Sequence, residues 1–521
     1  MEYRPNPGQR PPQGRRPPTR QQVARRRGFV ALLVLSSILI LWAAGPGGRK
    51  GRSPANPGKD QGGGSKTTNY AIGPDSPIKH VVFIVKENRS FNNYFATYPG
   101  AEGATEGGTI QCDSKGCHDG PIVKLKVAGD VQPHDLTHCF RCGLVAINNG
   151  KMNGFNRMNG VISASSAKQV LYGSDLSGYR YFTRDGIPNY YAYADRFVLT
   201  DHFFTSMYGP TLPEHLYTVA AQSNGIVDNK CCTDHPGSYC TDSGEHAPRF
   251  RPGLTPKETR TIMNLERLIN DDPQNTYLIS RYWEQIRLCF NIKVLPDLLE
   301  RKGISWRYYA TENSWMNALQ MIRHVWDGPM RKNIQDPNTF LTDVKRGRLP
   351  EVSWLIPPEP YNEHPGGHKS VCAGENWTVQ HINAIMKSGY WRDTAIVIVW
   401  DDFGGFYDPV VPPHLDVMGL GVRTPALIIS AYTRRGDNPD GGYVDQTTYE
   451  FSSVVHFIEL LHGLKPMTER DGQANPLAGA FGFKHPNFDK LILNYRTDCS
   501  YGKNLAALAL ADVPGVGFTG D

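Results

Sequence analysis

Short apolar runs and amphipathic segments alternate along residues 78–462, and this alternation predicts the order of strands and helices. Apolar runs predict strands at Ile78–Lys86, Ser305–Ala310, Glu351–Ile356, Thr394–Trp400 and Thr424–Ser430. Helical spacing of apolar residues predicts helices at Leu295–Lys302, Trp315–Trp326, Asn338–Arg346, Glu375–Lys387 and Phe451–His462, and Ile187–Phe204 predicts an aromatic-rich helix running into a short strand. Strands separated by helices indicate βαβ units. We therefore predict an α/β fold with a largely parallel sheet between helices on both faces.

The remaining segments predict the domain organisation. Residues 100–185 and 225–290 have weak periodicity and indicate loop-rich insertions. Residues 1–45 combine a basic start with a hydrophobic export signal or membrane anchor, and 46–75 form a flexible Gly/Pro/Ser linker. We expect one folded domain over 76–500 and a small, apolar tail over 501–521.

The uncharged segment Phe29–Ala44 predicts where the folded domain resides. Its sixteen residues are short for a membrane-spanning helix and long for the core of a signal peptide. Arg26-Arg27 before it resembles a twin-arginine export signal. Cleavage and anchoring to the membrane both stay open, and both place residue 70 onward outside the cytoplasm.

Charge and cysteine content narrow the function. Residues 1–52 contain eleven Arg or Lys and one acid, a net charge of +10. Since the whole chain has a net charge of +6, the rest carries −4, which argues against nucleic-acid binding. Ten cysteines in an exported chain suggest disulfides, several of them within 110–145 and 230–240. Zinc is the alternative, because His134, His138, Cys139 and Cys142 lie close together in the sequence.

Polar residues directly follow two of the predicted strands. Asp401 and Asp402 follow the fourth strand, and Glu87 and Asn88 follow the first. Ligands of open α/β sheets bind at the carboxyl ends of strands, and adjacent carboxylates there repel each other unless a cation or proton compensates their charge. We therefore expect a metal site. The alternatives are a solvated turn for the Asp pair and a helix start capped by Asn88 or Ser90.

Thr211 lies where a predicted strand ends and a helix begins near Pro213. A hydroxyl at a helix N-terminus faces unpaired N–H groups and the positive end of the helix dipole, which suits an alkoxide and a phosphate. A plain capping role is the alternative. His364 and His368 have the spacing of a helical zinc pair, but Pro-Gly-Gly between them excludes a helix. We therefore interpret His364 as a loop histidine that donates to phosphate or acts as a general acid.

Four stretches together resemble one protein family: KENRSFNNYF (86–95), GPTLPEHLY (209–217), NEHPGGH (362–368) and DDFGGFYDPVVPP (401–413). They are similar to motifs of the bacterial phosphoesterase family, which includes non-haemolytic-type phospholipases C and a metal-dependent acid phosphatase. The resemblance runs from about residue 78 to about 465. It implies a three-layer, alkaline-phosphatase-like α/β fold and makes residues 76–500 the catalytic domain.

The resemblance also implies roles for individual residues. Glu87, Asn88, Asp401 and Asp402 match metal ligands, and Thr211 matches a nucleophile that also contacts the metal. His138 and His364 match histidines that contact phosphate or assist the leaving group, and we add His215 as a substrate-binding candidate. An all-oxygen shell of five such ligands suits one hard divalent ion, with Mg²⁺, Ca²⁺ or Mn²⁺ favoured and Zn²⁺ possible.

The chain departs from the family pattern at three places. Glu214-His215 stands where many members have Asn-Arg or Asn-His, Pro409 replaces a histidine after Asp408, and Asn92 replaces a common Asp. These changes affect phosphate contacts and substrate choice and leave the metal and nucleophile positions intact.

We expect an extracytoplasmic, metal-dependent phosphate ester hydrolase that works through a phosphothreonine intermediate. A phospholipase C acting on phospholipids is the first expectation, and an acid phosphatase is the second. A non-catalytic surface protein on a decayed hydrolase scaffold is the third, motivated by the histidine missing at Pro409.

Overall fold

Strands and helices alternate in the computed structural model of the protein, which describes residues 72–113, 116–132, 134–158, 175–230, 239–270, 275–367, 369–437 and 439–500. The predicted export signal, most of the linker and the C-terminal tail lie outside these residues, as do His368, Cys231 and Cys232. Within them, no helix has the length and apolar character that crossing a bilayer requires.

The strands, in chain order, are β1 His80–Lys86, β2 Glu106–Gly107, β3 Ile110–Asp113, β4 Gly116–Asp119, β5 Val123–Lys124, β6 Lys126–Val127, β7 Arg180–Tyr181, β8 Val198–Thr200, β9 His246–Phe250, β10 Trp283–Arg287, β11 Trp306–Tyr309, β12 Ile334–Gln335, β13 Val352–Leu355, β14 Thr394–Trp400, β15 Ala426–Ser430 and β16 Tyr443–Asp445. The α-helices are α1 Phe91–Phe95, α2 Phe140–Ile147, α3 Pro188–Arg196, α4 Thr211–Ala220, α5 Pro256–Arg267, α6 Asn275–Ile279, α7 Leu295–Lys302, α8 Arg323–Trp326, α9 Thr339–Lys345, α10 Val371–Lys387, α11 Phe451–Leu461 and α12 Glu469–Gln473.

One eight-stranded sheet organises the domain, in the order β12-β11-β13-β1-β14-β15-β8-β16. Five of its neighbouring pairs are parallel, and β15 runs antiparallel to both β14 and β8. The central strands β1 and β14 are adjacent and parallel, and both are buried almost throughout. Their carboxyl ends therefore meet at one edge of the sheet.

Helices cover both faces of the sheet. On one face Lys86, which lies opposite Trp400 in the register, donates to the Gly374 carbonyl of α10 at 2.8 Å. On the other face Trp354 donates to the Thr218 carbonyl of α4 at 3.0 Å, and α4 packs against α11. Because side chains alternate along a strand, these contacts place α10 and α4 on opposite sides. The predicted three-layer α/β architecture with a largely parallel sheet is thus confirmed.

Two segments differ from the predicted elements. The helix predicted at Trp315–Trp326 is a 3₁₀ turn, Ala318–Met321, followed by the single turn α8. Helix α5 lies in the stretch expected to be irregular, although its capping box, in which Thr255 and Glu258 satisfy each other's backbone N–H groups, was a readable signal.

Disulfides are confirmed, and the zinc alternative is wrong. Cys139 and Cys142 are bonded to each other, so neither offers a thiolate, and His134 is exposed. Two further bridges, Cys240–Cys289 and Cys372–Cys499, connect segments 49 and 127 residues apart. Cys139–Cys142 lies within 110–145, where we expected bridges, whereas these two connect distant segments.

Candidate active site

The two polar pairs that follow β1 and β14 meet at the edge of the sheet. The backbone nitrogen of Asp401 donates to the carbonyl of Lys86, the last residue of β1, at 2.9 Å. The backbone nitrogen of Asn88 donates to Asp401 Oδ1 at 2.8 Å. Glu87 and Asp402 complete the cluster, and all four side chains of the two pairs are buried. Parallel pairing of two adjacent strands is thus sufficient to bring both pairs together.

Burial destabilises the ionised form of the three carboxylates in this cluster. Burial and the neighbouring Asp401 raise the pKa of Glu87 well above its usual value. Burial and Asp402 raise the pKa of Asp401 to about 6, and burial raises the pKa of Asp402. Desolvated like charges at such distances require a proton or a cation. The cluster therefore has the electrostatics of a cation site.

The side-chain amide of Asn88 lies between the carboxylates and two histidines. One of its terminal atoms is 3.0 Å from Glu87 Oε2 and 3.1 Å from Asp401 Oδ1, and the other is 3.0 Å from His138 Nε2 and 3.2 Å from His364 Nε2. With the amide nitrogen toward the carboxylates, Asn88 donates to Glu87 and Asp401, and its oxygen accepts from His138. With the oxygen toward them, three oxygens converge, and a proton or a cation must compensate this convergence.

The donor set fits a hard divalent cation. Asp401 Oδ2 is buried without a hydrogen-bond partner among the described residues, so one carboxylate oxygen is available for a ligand. Glu87, Asn88, Thr211 and the Asp pair offer only oxygens, which Mg²⁺, Ca²⁺ and Mn²⁺ prefer. His215, grouped with Glu87 and Asp401, adds a nitrogen that would suit Zn²⁺.

Thr211 reaches the cluster from the far side of the sheet, as the first residue of α4. The loop before it is held by Glu214, whose carboxylate accepts the backbone N–H groups of Ser206 and Met207 at 3.0 and 3.1 Å. The Thr211 hydroxyl donates to Asp402 Oδ2 at 3.3 Å. Since the first N–H groups of a helix are directed outward from its N-terminus, Thr211 combines a hydroxyl, a nearby carboxylate and a positive dipole end.

His215 occupies a different place from the one we expected. It lies four residues after Thr211, one turn further along α4, where its side chain is fully buried. Its Nε2 lies 3.0 Å from Glu87 Oε1 and 4.0 Å from Asp401 Oδ2. Burial lowers its pKa to about 4, so the ring is neutral at physiological pH. This geometry is that of a group that orients Glu87, and the substrate contact of His215 stays a prediction.

His138 lies beyond Asn88 and is held by the backbone. Its Nδ1 donates to the Leu136 carbonyl at 2.5 Å, and its Nε2 lies 3.9 Å from Asp402 Oδ2. Burial lowers its pKa, but the carboxylates of Asp402 and Asp135 outweigh burial and raise the pKa to about 9. In the absence of a cation, His138 is therefore an imidazolium beside Asn88.

His364 faces His138 across the amide of Asn88, with ring centroids 6.1 Å apart. Its Nδ1 donates to the Pro365 carbonyl at 2.6 Å. Burial and the nearby Lys369 lower its pKa well below the usual range, so the ring is neutral with Nε2 as an acceptor. The two histidines thus stand on the side of Asn88 away from Glu87 and Asp401.

Sequence analysis did not predict a buried polar cluster around Glu363, which we call the hub. The carboxylate of Glu363 lies 2.5 Å from Lys86 Nζ, accepts the hydroxyls of Tyr94 and Tyr190 at 2.7 and 2.6 Å, and accepts Trp400 Nε1 at 3.0 Å. Glu363, Lys86 and Trp400 each immediately precede one of the candidate site residues. A lysine ending an otherwise apolar strand was the available signal, because a buried charge requires a partner.

Asp408 lies outside the carboxylate cluster. It is paired with Arg423, whose Nε lies 2.9 Å from Asp408 Oδ1 and whose Nη1 lies 2.9 Å from Asp201 Oδ1. Asn92, at the third departure from the family pattern, donates its backbone N–H to Asp408 at 3.1 Å and holds Ala104 with its side chain. These residues stabilise the loop after β14.

Comparisons with known proteins cover the part of the chain that contains the four motifs. The model of the family described as "Phosphoesterase family" matches residues 78–465. The chain is 24% identical over 481 residues to phospholipase C A of Mycobacterium tuberculosis, covering 80% of each chain. It is 25% identical over 421 residues to the hemolytic phospholipase C of Pseudomonas aeruginosa, covering 74% of this chain and 53% of the relative. A solved protein of the alkaline phosphatase superfamily from Vibrio parahaemolyticus is 10% identical, with a TM-score of 0.34 over 78% of this chain and 71% of that one.

Proposed function

From the premise that the chain belongs to the phosphoesterase family, we propose that it is a metal-dependent phospholipase C acting outside the cytoplasm. The family resemblance expected from the four motifs is confirmed, and with it a phosphoric ester hydrolase. The proposal extends this to the substrate, the metal dependence, the covalent intermediate and the compartment. Two relatives named phospholipase C support the choice of a phospholipid headgroup ester as substrate.

One observation carries the proposal: the Thr211 hydroxyl, at the N-terminus of α4, donates to Asp402 within a cluster of buried, incompletely compensated oxygens. A nucleophilic hydroxyl requires a group that takes its proton and an environment that tolerates a negatively charged phosphoryl group. Asp402 provides the first. The helix N-terminus provides the second, and a cation held by the carboxylates would add to it.

Glu87, Asn88, Thr211, Asp401 and Asp402 are the residues that would hold the cation. When bound, a divalent ion lowers the pKa of a nearby hydroxyl and screens the negative charge of the phosphate. We propose that each chain binds one ion of Mg²⁺, Ca²⁺ or Mn²⁺ type, and elemental analysis of the purified protein measures its identity and number.

The residues of the chain account for each bond change. Thr211 Oγ1 attacks phosphorus and gives its proton to Asp402, so a phosphothreonine forms as the bond from phosphorus to the leaving alcohol breaks. His138, which is an imidazolium beside Asn88, gives a proton to the leaving oxygen. A water molecule then attacks the phosphorus of this ester and loses a proton to the same histidine, while the bond from phosphorus to Thr211 Oγ1 breaks and Asp402 returns its proton to Thr211.

Turnover of two substrates by three proteins tests the proposal. The wild type is expected to release phosphocholine from phosphatidylcholine in the presence of divalent metal and to lose this activity in EDTA. Thr211→Ala is expected to lose at least about a thousandfold in kcat, since the nucleophile is gone, whereas Thr211→Ser retains a hydroxyl and measurable turnover.

A simple aryl phosphate is the second substrate, because an acid phosphatase would prefer it. Preference for the aryl phosphate would overturn the phospholipase assignment while leaving the esterase intact. Failure of the wild type on both substrates, with and without divalent metal, would overturn the enzymatic proposal itself.

A further inference from the structure

Three large apolar side chains, which we call the apolar rim, are exposed beside the candidate site. Leu268, Val411 and Leu415 are 47, 50 and 54% exposed. Val411 lines a cavity of about 190 Å³ together with Arg267 and His414, the chain neighbours of the other two rim residues. Apolar exposure on separate segments that converge at one place is typical of a contact surface, whereas isolated exposed residues are ordinary.

The apolar rim is built on segments that also carry the site. Val411 and Leu415 lie on the chain that leaves Asp402 after β14, and Tyr208, three residues before Thr211, lines the same cavity. Helix α2, which begins two residues after His138, adds Leu144 and Ile147 to the lining. A surface that contacts the rim is therefore next to the loops that present the nucleophile and the histidine.

Helix α5 adds positive charge next to the rim. Its exposed cations Lys257, Arg260 and Arg267, which we call the basic stripe, are spaced three and seven residues apart, while Ile262 and Glu266 are buried. Within the described residues, none of the three makes an ion pair, and Glu266 binds His414 at 2.6 Å, which fixes the helix to the rim loop. The stripe stands out because the chain after residue 52 carries a net charge of −4.

We infer that the apolar rim and the basic stripe together form a surface that docks onto anionic phospholipid bilayers. Apolar side chains that enter the acyl boundary and cations that bind lipid phosphates are the two components of interfacial binding, and each basic residue contributes roughly fivefold in affinity. This inference rests on the proposed function, since a phospholipid hydrolase must reach substrate that is held in a bilayer. A protein partner would not require the same mixture of exposed apolar groups and unpaired cations.

Sedimentation with vesicles measures the docking separately from hydrolysis. The proteins carry Thr211→Ala so that the lipid stays intact, and the vesicles contain phosphatidylcholine with or without phosphatidylglycerol. One variant replaces the rim (Leu268→Ser, Val411→Ser, Leu415→Ser) and a second replaces the stripe (Lys257→Gln, Arg260→Gln, Arg267→Gln). Matched controls change exposed residues elsewhere: Ile492→Ser for the rim, and Lys484→Gln with Lys490→Gln for the stripe.

We expect the rim variant to bind either vesicle at least roughly tenfold more weakly than its parent. The stripe variant should lose the preference for phosphatidylglycerol vesicles, and the controls should bind like the parent. The rim and stripe variants are also made in protein that keeps Thr211. These proteins are expected to hydrolyse soluble, monomeric p-nitrophenyl phosphocholine at the wild-type rate. Unchanged vesicle binding by both variants would overturn the docking surface. Absence of any phosphoester hydrolysis by the wild type would overturn the proposed function, and the sedimentation result would distinguish the two failures.

Discussion

At the residue scale, two buried aspartates seven positions apart have opposite surroundings. Asp401 faces Glu87 and Asp402, and one of its oxygens has no hydrogen-bond partner in the described structure. Burial raises the pKa of Asp408 as well, but Asp408 is paired with the buried guanidinium of Arg423, which favours the ionised carboxylate. Removing a charge from the first site relieves repulsion, whereas removing it from the second leaves a cation partly uncompensated.

Asp401→Asn and Asp408→Asn are therefore expected to change stability in opposite directions. In EDTA at pH 7.5, Asp401→Asn should raise the free energy of unfolding by up to about 3 kcal/mol, and Asp408→Asn should lower it by about 3 kcal/mol. Added Mg²⁺ or Mn²⁺ should stabilise the wild type and the Asp408 variant but not the Asp401 variant. Thermal unfolding with and without metal measures all six values, and a metal response that survives in Asp401→Asn would contradict the assigned site.

The difference in unfolding free energy between Asp401→Asn and the wild type depends on pH, because the pKa of Asp401 is raised. Its pKa is about 6 in the folded, metal-free protein and near 4 in the unfolded chain, so the folded state binds the proton more tightly. The stabilisation from protonation is present below about pH 4 and is lost as the pH rises to about 6. In EDTA, the stability gap between Asp401→Asn and the wild type should therefore widen over this window and stay level above it. A gap that is constant from pH 4 to pH 7 would rule out a raised pKa.

At the element scale, Glu363 ties the loop after β13 to the two central strands. Its carboxylate is buried against Lys86 at the end of β1 and Trp400 at the end of β14. Glu363→Gln should lower the free energy of unfolding by about 3–5 kcal/mol, because Lys86 remains buried without a counter-charge. The same substitution at Glu359, which is exposed in the same loop and paired with Lys369, should cost less than about 1 kcal/mol.

The double variant Lys86→Met with Glu363→Gln separates the charge from the packing. It removes both ions, so urea unfolding should recover at least half of the stability lost in Glu363→Gln. If the double variant is as unstable as the sum of the two single variants, the residues are not coupled and the hub does not hold the loop.

The elements themselves were largely predictable, because buried parallel strands and amphipathic helices have distinct periodicities. Leu295–Lys302 and Thr394–Trp400 have the predicted bounds. Helix α5 was missed because its surface is polar and its apolar residues few, so that only its cap marked it. The direction of β15 and the long-range disulfide partners depend on tertiary placement, which local patterns do not encode.

The candidate site was predictable where strand order alone determines it. Adjacent polar pairs after β1 and β14 meet whenever these strands are neighbours. The position of His215 was not predictable from the sequence. The motif does not show how α4 is rotated, and this rotation directs Thr211 toward Asp402 and His215 toward Glu87. The hub around Glu363 also depends on side chains from four separate segments.

At the scale of the whole molecule, the bridge Cys372–Cys499 fastens the C-terminal segment to the start of α10. The segment also contacts the helix through Asn376 and Asn383, which bond to Arg496 and Leu493. Cys139–Cys142 closes a loop of only three residues, whereas Cys372–Cys499 closes 127. Because stabilisation by a bridge grows with loop length, Cys372→Ser with Cys499→Ser should lose about 3 kcal/mol more than Cys139→Ser with Cys142→Ser.

Chemical unfolding of both pairs under non-reducing conditions checks this expectation. Limited proteolysis should also release the C-terminal segment only from the Cys372/Cys499 variant. Equal losses of stability in the two pairs would show that the C-terminal segment is held by its other contacts alone.

The central claim, that Thr211 attacks phosphorus, is tested most directly by trapping the intermediate. Wild-type protein is quenched with acid during turnover of phosphatidylcholine and digested, and the peptide that contains Thr211 is analysed by mass spectrometry. We predict a phosphocholine group esterified to Thr211 in the wild type, and neither the group nor turnover in Thr211→Ala. Turnover of Thr211→Ala at the wild-type rate, with no phosphopeptide in either protein, would contradict the account.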